Sequence, residues 1–151
     1  MSDQPPFKQP SSEGNAPLTG QCMCGAVKFT ISAPLLGAAY CHCKRCQRRT
    51  GTAFSVTGLT EPGSFEVTQG EDSIAAFHPD DGWRKAFCRE CGGQLYTQNP
   101  ENTDLLAVRF GAIDQDPGVR PSVHQFTDYA PAWSPVPDDG LPQHPERMPW
   151  E

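Results

Sequence analysis

The sequence predicts one mainly β domain stapled by metal ions, and three observations carry that expectation. Short runs of alternating apolar and polar residues recur between Gly and Pro turn signals. No stretch sustains an apolar period of about 3.6, so helices are few. All seven cysteines fall into three tight groups, Cys22/Cys24, Cys41/Cys43/Cys46 and Cys88/Cys91. At 151 residues the chain is about one domain long, and 14 Gly and 16 Pro against 36% hydrophobic residues imply a modest core with many turns.

Taken in order, residues 1–17 are rich in Pro, Ser and Gln with one large apolar residue, Phe7, and bury too little to offset their ordering entropy. They are expected to form a flexible tail, followed by a metal-binding β domain over 18–135 and a Pro-rich extension over 136–151. Val27, Phe29 and Ile31 alternate as a half-buried strand should. Further strands are expected near 53–57, 64–68, 73–77, 84–87, 94–97 and 105–110, with turns at Pro62-Gly63, Asp81-Gly82, Gly92-Gly93 and Asn99-Pro100. Residues 44–50 read as a short helix that Gly51 ends. Phe54, Phe65, Phe77, Phe110 and Trp83 are expected to fill the core. The prolines after Thr127 argue against regular sheet or helix, yet Tyr129, Trp133 and Trp150 suggest a segment laid over the domain with Trp133 docked.

Charge and redox chemistry narrow the function. Twelve Lys and Arg against 18 Asp and Glu give a net charge of -6, a poor basis for binding nucleic acid. No apolar run approaches the roughly 18 residues of a membrane span, and the first thirty residues, lacking a basic segment followed by an apolar run, are not expected to act as an export leader. An odd number of closely spaced cysteines with no sign of export points to metal ligands in the cytoplasm rather than disulfides.

Cys88-Arg-Glu-Cys91-Gly92-Gly93 is a knuckle: two ligands three apart, then glycines that allow a tight turn. Cys22-Met-Cys24-Gly25 is a second two-ligand unit. The simplest partition closes a four-thiolate structural zinc with Cys22, Cys24, Cys88 and Cys91. It leaves Cys41, Cys43 and Cys46 to hold a second zinc with an open position, as catalytic zinc has. Spacing also permits Cys22/Cys24 to join two of the central three, leaving Cys88/Cys91 as a dithiol. His42, His78 or His124 would be the histidines available to close the three-thiol site, and iron–sulfur or copper ligation fits the spacing less well than zinc. Lys44, Arg45, Arg48 and Arg49 follow Cys43 closely; they are expected to offset thiolate charge and draw in an anionic thiol.

Gly20-Gln-Cys22-Met-Cys24-Gly25-Ala-Val27, Cys41-His42-Cys43-Lys-Arg-Cys46-Gln-Arg-Arg-Thr-Gly51 and Phe87-Cys88-Arg-Glu-Cys91-Gly92 together resemble the glutathione-dependent formaldehyde-activating enzyme family, which includes centromere-protein-V-like domains. Gly111-Ala-Ile113-Asp114, Pro121-Ser-Val-His124 and Ala132-Trp133 are similar to that family's C-terminal region. The resemblance implies a β-tent fold shared with methionine-R-sulfoxide reductases and the same zinc partition. It implies a carbon–sulfur lyase that condenses glutathione with formaldehyde to S-(hydroxymethyl)glutathione. The partners would be a small thiol and an aldehyde, with oligomeric state open. His42, His124, Asp114 and Tyr129 are the candidate proton carriers, and Tyr129 and Trp133 candidate cleft walls. The rival is a non-enzymatic zinc domain that binds a thiol carrier or a protein partner. A redox enzyme would need a cysteine outside both sites, and the partition leaves none.

Overall fold

A computed structural model describes residues 17–147; all but residue 17 of the tail expected over 1–17, Phe7 included, and Trp150 lie outside the described residues. The strands are β1 (Leu18–Gln21), β2 (Lys28–Ile31) and β3 (Gly37–Cys41), after which comes the helix α1 (Lys44–Thr50). Then follow β4 (Ser55–Leu59), β5 (Phe65–Gln69), β6 (Ile74–Phe77), β7 (Arg84–Cys88), β8 (Gln94–Gln98) and β9 (Leu106–Arg109). Two short strands close the chain, β10 (His124–Gln125) and β11 (Gln143–His144). The fold is mainly β, as the alternating runs predict.

β1, β2 and β5 form a small antiparallel sheet, and the other eight strands a large one in the order β11-β10-β3-β4-β9-β8-β7-β6. The core lies between them. Leu18, Val27, Phe29 and Ile31 of the small sheet meet Ala86, Leu95, Tyr96, Leu106 and Val108 of the large one, all buried. Each large apolar side chain removed from water there contributes about 1.5–3 kcal/mol. At Gly20 of β1 a Cβ would stand 2.1 Å from the ring of its cross-strand partner Phe29 and 2.4 Å from the Ala112 carbonyl. Only a residue without a side chain fits that position.

Three expectations need correction. Phe77 is 60% exposed, because β6 is the outer strand of the large sheet and has no layer over that face. Phe54 is also exposed and Trp83 lies outside the core cluster, whereas Phe65 and Phe110, half-buried, do pack against it. Trp133 is not docked but 70% exposed. The Pro-rich segment does contribute a strand: β11 runs parallel to β10, which runs parallel to β3. Two residues between prolines suffice for that pairing, with His124 N–H donating to the Pro142 carbonyl at 2.9 Å.

Candidate metal centres and the cleft between sheet and helix

The first cysteine pair follows β1 in the turn to β2, where Cys22 N–H donates to the Val27 carbonyl at 3.1 Å. The second pair sits in the β7–β8 turn, which Gly92 completes in the left-handed region at φ 77°. Packing of the small sheet on the large one brings these turns together, and the sulfurs of Cys22, Cys24, Cys88 and Cys91 lie within 4.8 Å of one another. Cys22 and Cys24 sulfurs are 3.7 Å apart, and Cys24 and Cys88 sulfurs 3.9 Å. A tetrahedral ion with 2.3 Å bonds to sulfur needs edges of about 3.8 Å. Backbone amides of Val27, Glu90 and Gly93 point at Cys22, Cys88 and Cys91 sulfurs at 3.3–3.4 Å, the arrangement that favours thiolates. The Gly93 amide accordingly holds the Cys91 thiol down at about 6. This set could hold a metal ion, and its donors suit zinc.

The second set assembles where β3 hands over to α1. Cys41 ends β3, paired with Ser55 of β4 on one side and Gln125 of β10 on the other. Cys43 caps the helix: its sulfur accepts from Cys46 N–H at 3.4 Å, which places Cys46 over it in the first turn. Gly51, at φ 70°, ends the helix by donating its N–H to the Gln47 carbonyl at 2.8 Å. The sulfurs of Cys41, Cys43 and Cys46 also lie within 4.8 Å of one another and could hold a second ion. Hydrogen bonds from Cys41 and Cys43, with Ser55 and Arg109 adding to them, hold the Cys46 thiol down at about 2, while Cys41 is pushed up by the same sharing. None of the seven cysteines is in a disulfide.

The surroundings of the two sets differ. Cys41, Cys43 and Cys46 line a cleft of about 1040 Å³ whose wall also includes Lys44, Arg45, Arg49, Lys85, Arg109 and Arg147, with Asp81 the one carboxylate there among the described residues. Arg45 is bound to the Asp81 carboxylate at 2.5 Å. Arg49 donates from Nη2 to the carbonyls of Ala86 at 2.8 Å and Tyr96 at 3.1 Å, tying α1 to the large sheet. Burial, with Arg109 adjacent, lowers its guanidinium to about 9. Arg109 is 7% exposed and leaves Nε and Nη1 without hydrogen-bond partners. Burial weakens its charge while Cys46 and Cys41 sustain it.

Of the four cations expected from sequence, Lys44, Arg45 and Arg49 line the cleft, whereas Arg48 is exposed on α1 and does not. Sequence reading missed Lys85, Arg109 and Arg147. Arg109 and Lys85 come from β9 and β7, remote from the cysteines in sequence, and only strand alternation around 105–110 could have flagged Arg109 as inward-facing. Trp83, Phe126 and Tyr129 form the aromatic wall, but Trp133 does not reach it. The Tyr129 hydroxyl donates to Glu146 at 3.1 Å, and that contact raises its pKa. Asp114 lies outside this cleft, accepting from Thr19 Oγ1 at 2.8 Å.

His42 and His124 are each 1% exposed and absent from the cleft wall, so neither closes the three-sulfur set. His42 Nε2 stands 2.8 Å from His124 Nδ1, and His124 Nε2 stands 2.7 Å from Asp139 Oδ2. Burial, reinforced by His124, holds His42 below the usual imidazole range. His78 is exposed and in neither set.

Residues 17–129 match the family model described as glutathione-dependent formaldehyde-activating enzyme. A Halomonas elongata protein bearing that name is 27% identical over 123 residues, which span 77% of this chain and 78% of its own. Proteins of the same name from Emericella nidulans and Podospora anserina are 28% and 27% identical. The chain spans under half of each, 38% and 48%. The crystal structure of a Rhodobacter sphaeroides protein superposes with a TM-score of 0.54 at 24% identity, over 68% of this chain and 97% of that one, a likeness of fold.

Proposed function

Because the chain belongs to the glutathione-dependent formaldehyde-activating enzyme family, we propose that it joins a small thiol, glutathione or a close relative, to formaldehyde or another small aldehyde. In reverse it is a carbon–sulfur lyase. The observation that carries this reading is three cysteine sulfurs opening into a cleft lined by cations. A four-sulfur set standing apart suits a structural role. In this reading Cys22, Cys24, Cys88 and Cys91 hold a structural zinc, and Cys41, Cys43 and Cys46 hold the catalytic one.

Zinc at the three-sulfur set would supply Lewis acidity that favours the thiolate form of an incoming thiol. The chain's own residues do the rest. Three thiolates on a divalent cation leave a charge of -1, and a fourth thiolate makes it -2. Arg109 and Arg49, buried beside Cys46, offset that charge where little water reaches it. Lys44, Arg45, Lys85 and Arg147 supply donors for carboxylates carried by the thiol, and Trp83 with Tyr129 covers its apolar stem. The thiol gives up its proton, its sulfur pair attacks the carbonyl carbon, and the carbonyl oxygen gains a proton to give the hemithioacetal. In this reading the protein works in a reducing compartment, the cytoplasm, where cysteines stay available as ligands.

Adduct formation followed by NMR, with zinc content measured in parallel, tests the proposal in wild type and Cys43→Ser. The expected result is loss of rate together with loss of one zinc per chain. Equal rates remove the three-sulfur set from the chemistry. Calorimetry with glutathione separates catalyst from carrier: tight binding without any rate gain over the spontaneous reaction favours the carrier.

A further inference from the structure

We propose that His42, His124 and Asp139 form a buried positioning chain that fixes the three-cysteine loop for its metal ion, with the Pro-rich segment acting as its clamp. The inference rests on the two-centre reading above. His42 is the residue between Cys41 and Cys43, so its two backbone dihedrals set the relation of those sulfurs. Its ring is anchored by His124, and His124 by Asp139, through contacts of 2.8 and 2.7 Å.

The direction of the Asp139 bond follows from chemistry. An ionised carboxylate only accepts, so His124 must carry its proton on Nε2. Either ring nitrogen can supply the proton shared between His124 Nδ1 and His42 Nε2, and in the arrangement where Nδ1 offers its lone pair, His42 carries its proton on Nε2. The orientation of the His124 ring is therefore fixed by a residue of the C-terminal segment, and through it that of His42. Asp139 is itself fixed, because its other oxygen accepts from Leu141 N–H at 3.0 Å. Tyr40 stacks on the His124 ring at 4.7 Å and 12°, which stops the ring from turning.

Backbone bonds run alongside the side chains. His42 N–H donates to the Gln125 carbonyl at 3.0 Å, and His124 N–H to the Pro142 carbonyl at 2.9 Å. Gln47 of α1 reaches the His42 carbonyl at 3.0 Å and the Tyr129 carbonyl at 2.8 Å. The loop is thus held from beneath, while neither imidazole lines the cleft. These are positioning residues, acting on substrate only through the sulfurs they steady.

Cadmium-113 NMR of the cadmium-loaded full chain tests this without any activity measurement. Wild type is expected to give two resonances, one for each sulfur set. Asp139→Ala and His124→Phe should each move the three-sulfur resonance and release that ion to a chelator about tenfold faster. The four-sulfur resonance should stay in place and report an intact fold. Asp139→Asn keeps an oxygen acceptor for His124 and should leave both resonances near their wild-type positions. If neither variant moves a resonance, or if both resonances shift or vanish together, the positioning role is wrong. A wild-type chain that takes up only one cadmium instead removes the two-centre reading on which it rests.

Discussion

The two sulfur sets should differ sharply in what they contribute to stability, because they close loops of different length. Cys24 and Cys88 are 64 residues apart, yet their sulfurs are 3.9 Å from each other. A metal ion gripping both ends removes from the unfolded chain the entropy of a loop that long, worth about 4 kcal/mol by the relation used for cross-links. Cys41 to Cys46 enclose only a few residues, worth about 2 kcal/mol by the same relation. For a chain of this size 1 kcal/mol shifts the melting temperature by about 3–4 °C. The double variant Cys24→Ser/Cys91→Ser changes the two more exposed ligands and leaves two sulfurs, too few for a structural ion. In saturating zinc it should melt about 15 °C below wild type by far-UV circular dichroism. Cys41→Ser/Cys43→Ser should lose about half as much. Equal losses, or a larger one from the second pair, would refute the assignment of structural and catalytic roles.

Other substitutions probe the cleft and the core. Arg109→Met removes a buried charge beside Cys46 and should weaken glutathione binding about tenfold by calorimetry, since a 1.4 kcal/mol loss is a factor of about ten; unchanged affinity would show that Arg109 does not offset the thiolates. Gly20→Ala drives a methyl into Phe29 and the Ala112 carbonyl and should cost about 1–3 kcal/mol in urea unfolding, a change in midpoint that a harmless substitution would not produce. Asp81→Ala breaks an ion pair whose partners are 50% and 83% exposed and should leave the melting temperature within about 2 °C, while a much larger drop would mean the pair closes the cleft structurally.

The cysteine spacing made both sulfur sets legible, because ligands clustered along the chain need only one turn to converge. It left the partition open, and the packing of the β1–β2 turn on the β7–β8 turn brings together the sulfurs of Cys22, Cys24, Cys88 and Cys91. The helix was legible too, since Gly51 at the end of a polar run stops it. β3 was not: Gly37, Ala38 and Ala39 have little strand preference, and pairing on both sides overrides it. Aromatic residues misled for a related reason. A ring says that burial is favourable, not which face of a strand has a neighbour, and Phe77 sits where there is none. The role of Arg109 beside Cys46 and the joining of His42 to His124, 82 residues apart, depend on contacts remote in sequence, which local pattern cannot reveal.

The parallel seam β3–β10–β11 also dictates an order of assembly. Antiparallel neighbours β3 and β4 can pair as soon as both are made, but Cys41 gains its second flank only from Gln125, and that flank its own support only from Gln143 and His144. During synthesis the loop bearing three thiols therefore waits for its full flank until Gln143 and His144, about a hundred residues further along, have been made. Chain order thus separates the two sulfur sets in time: the β1–β2 and β7–β8 turns that hold the four-sulfur set are both made before β10 and β11.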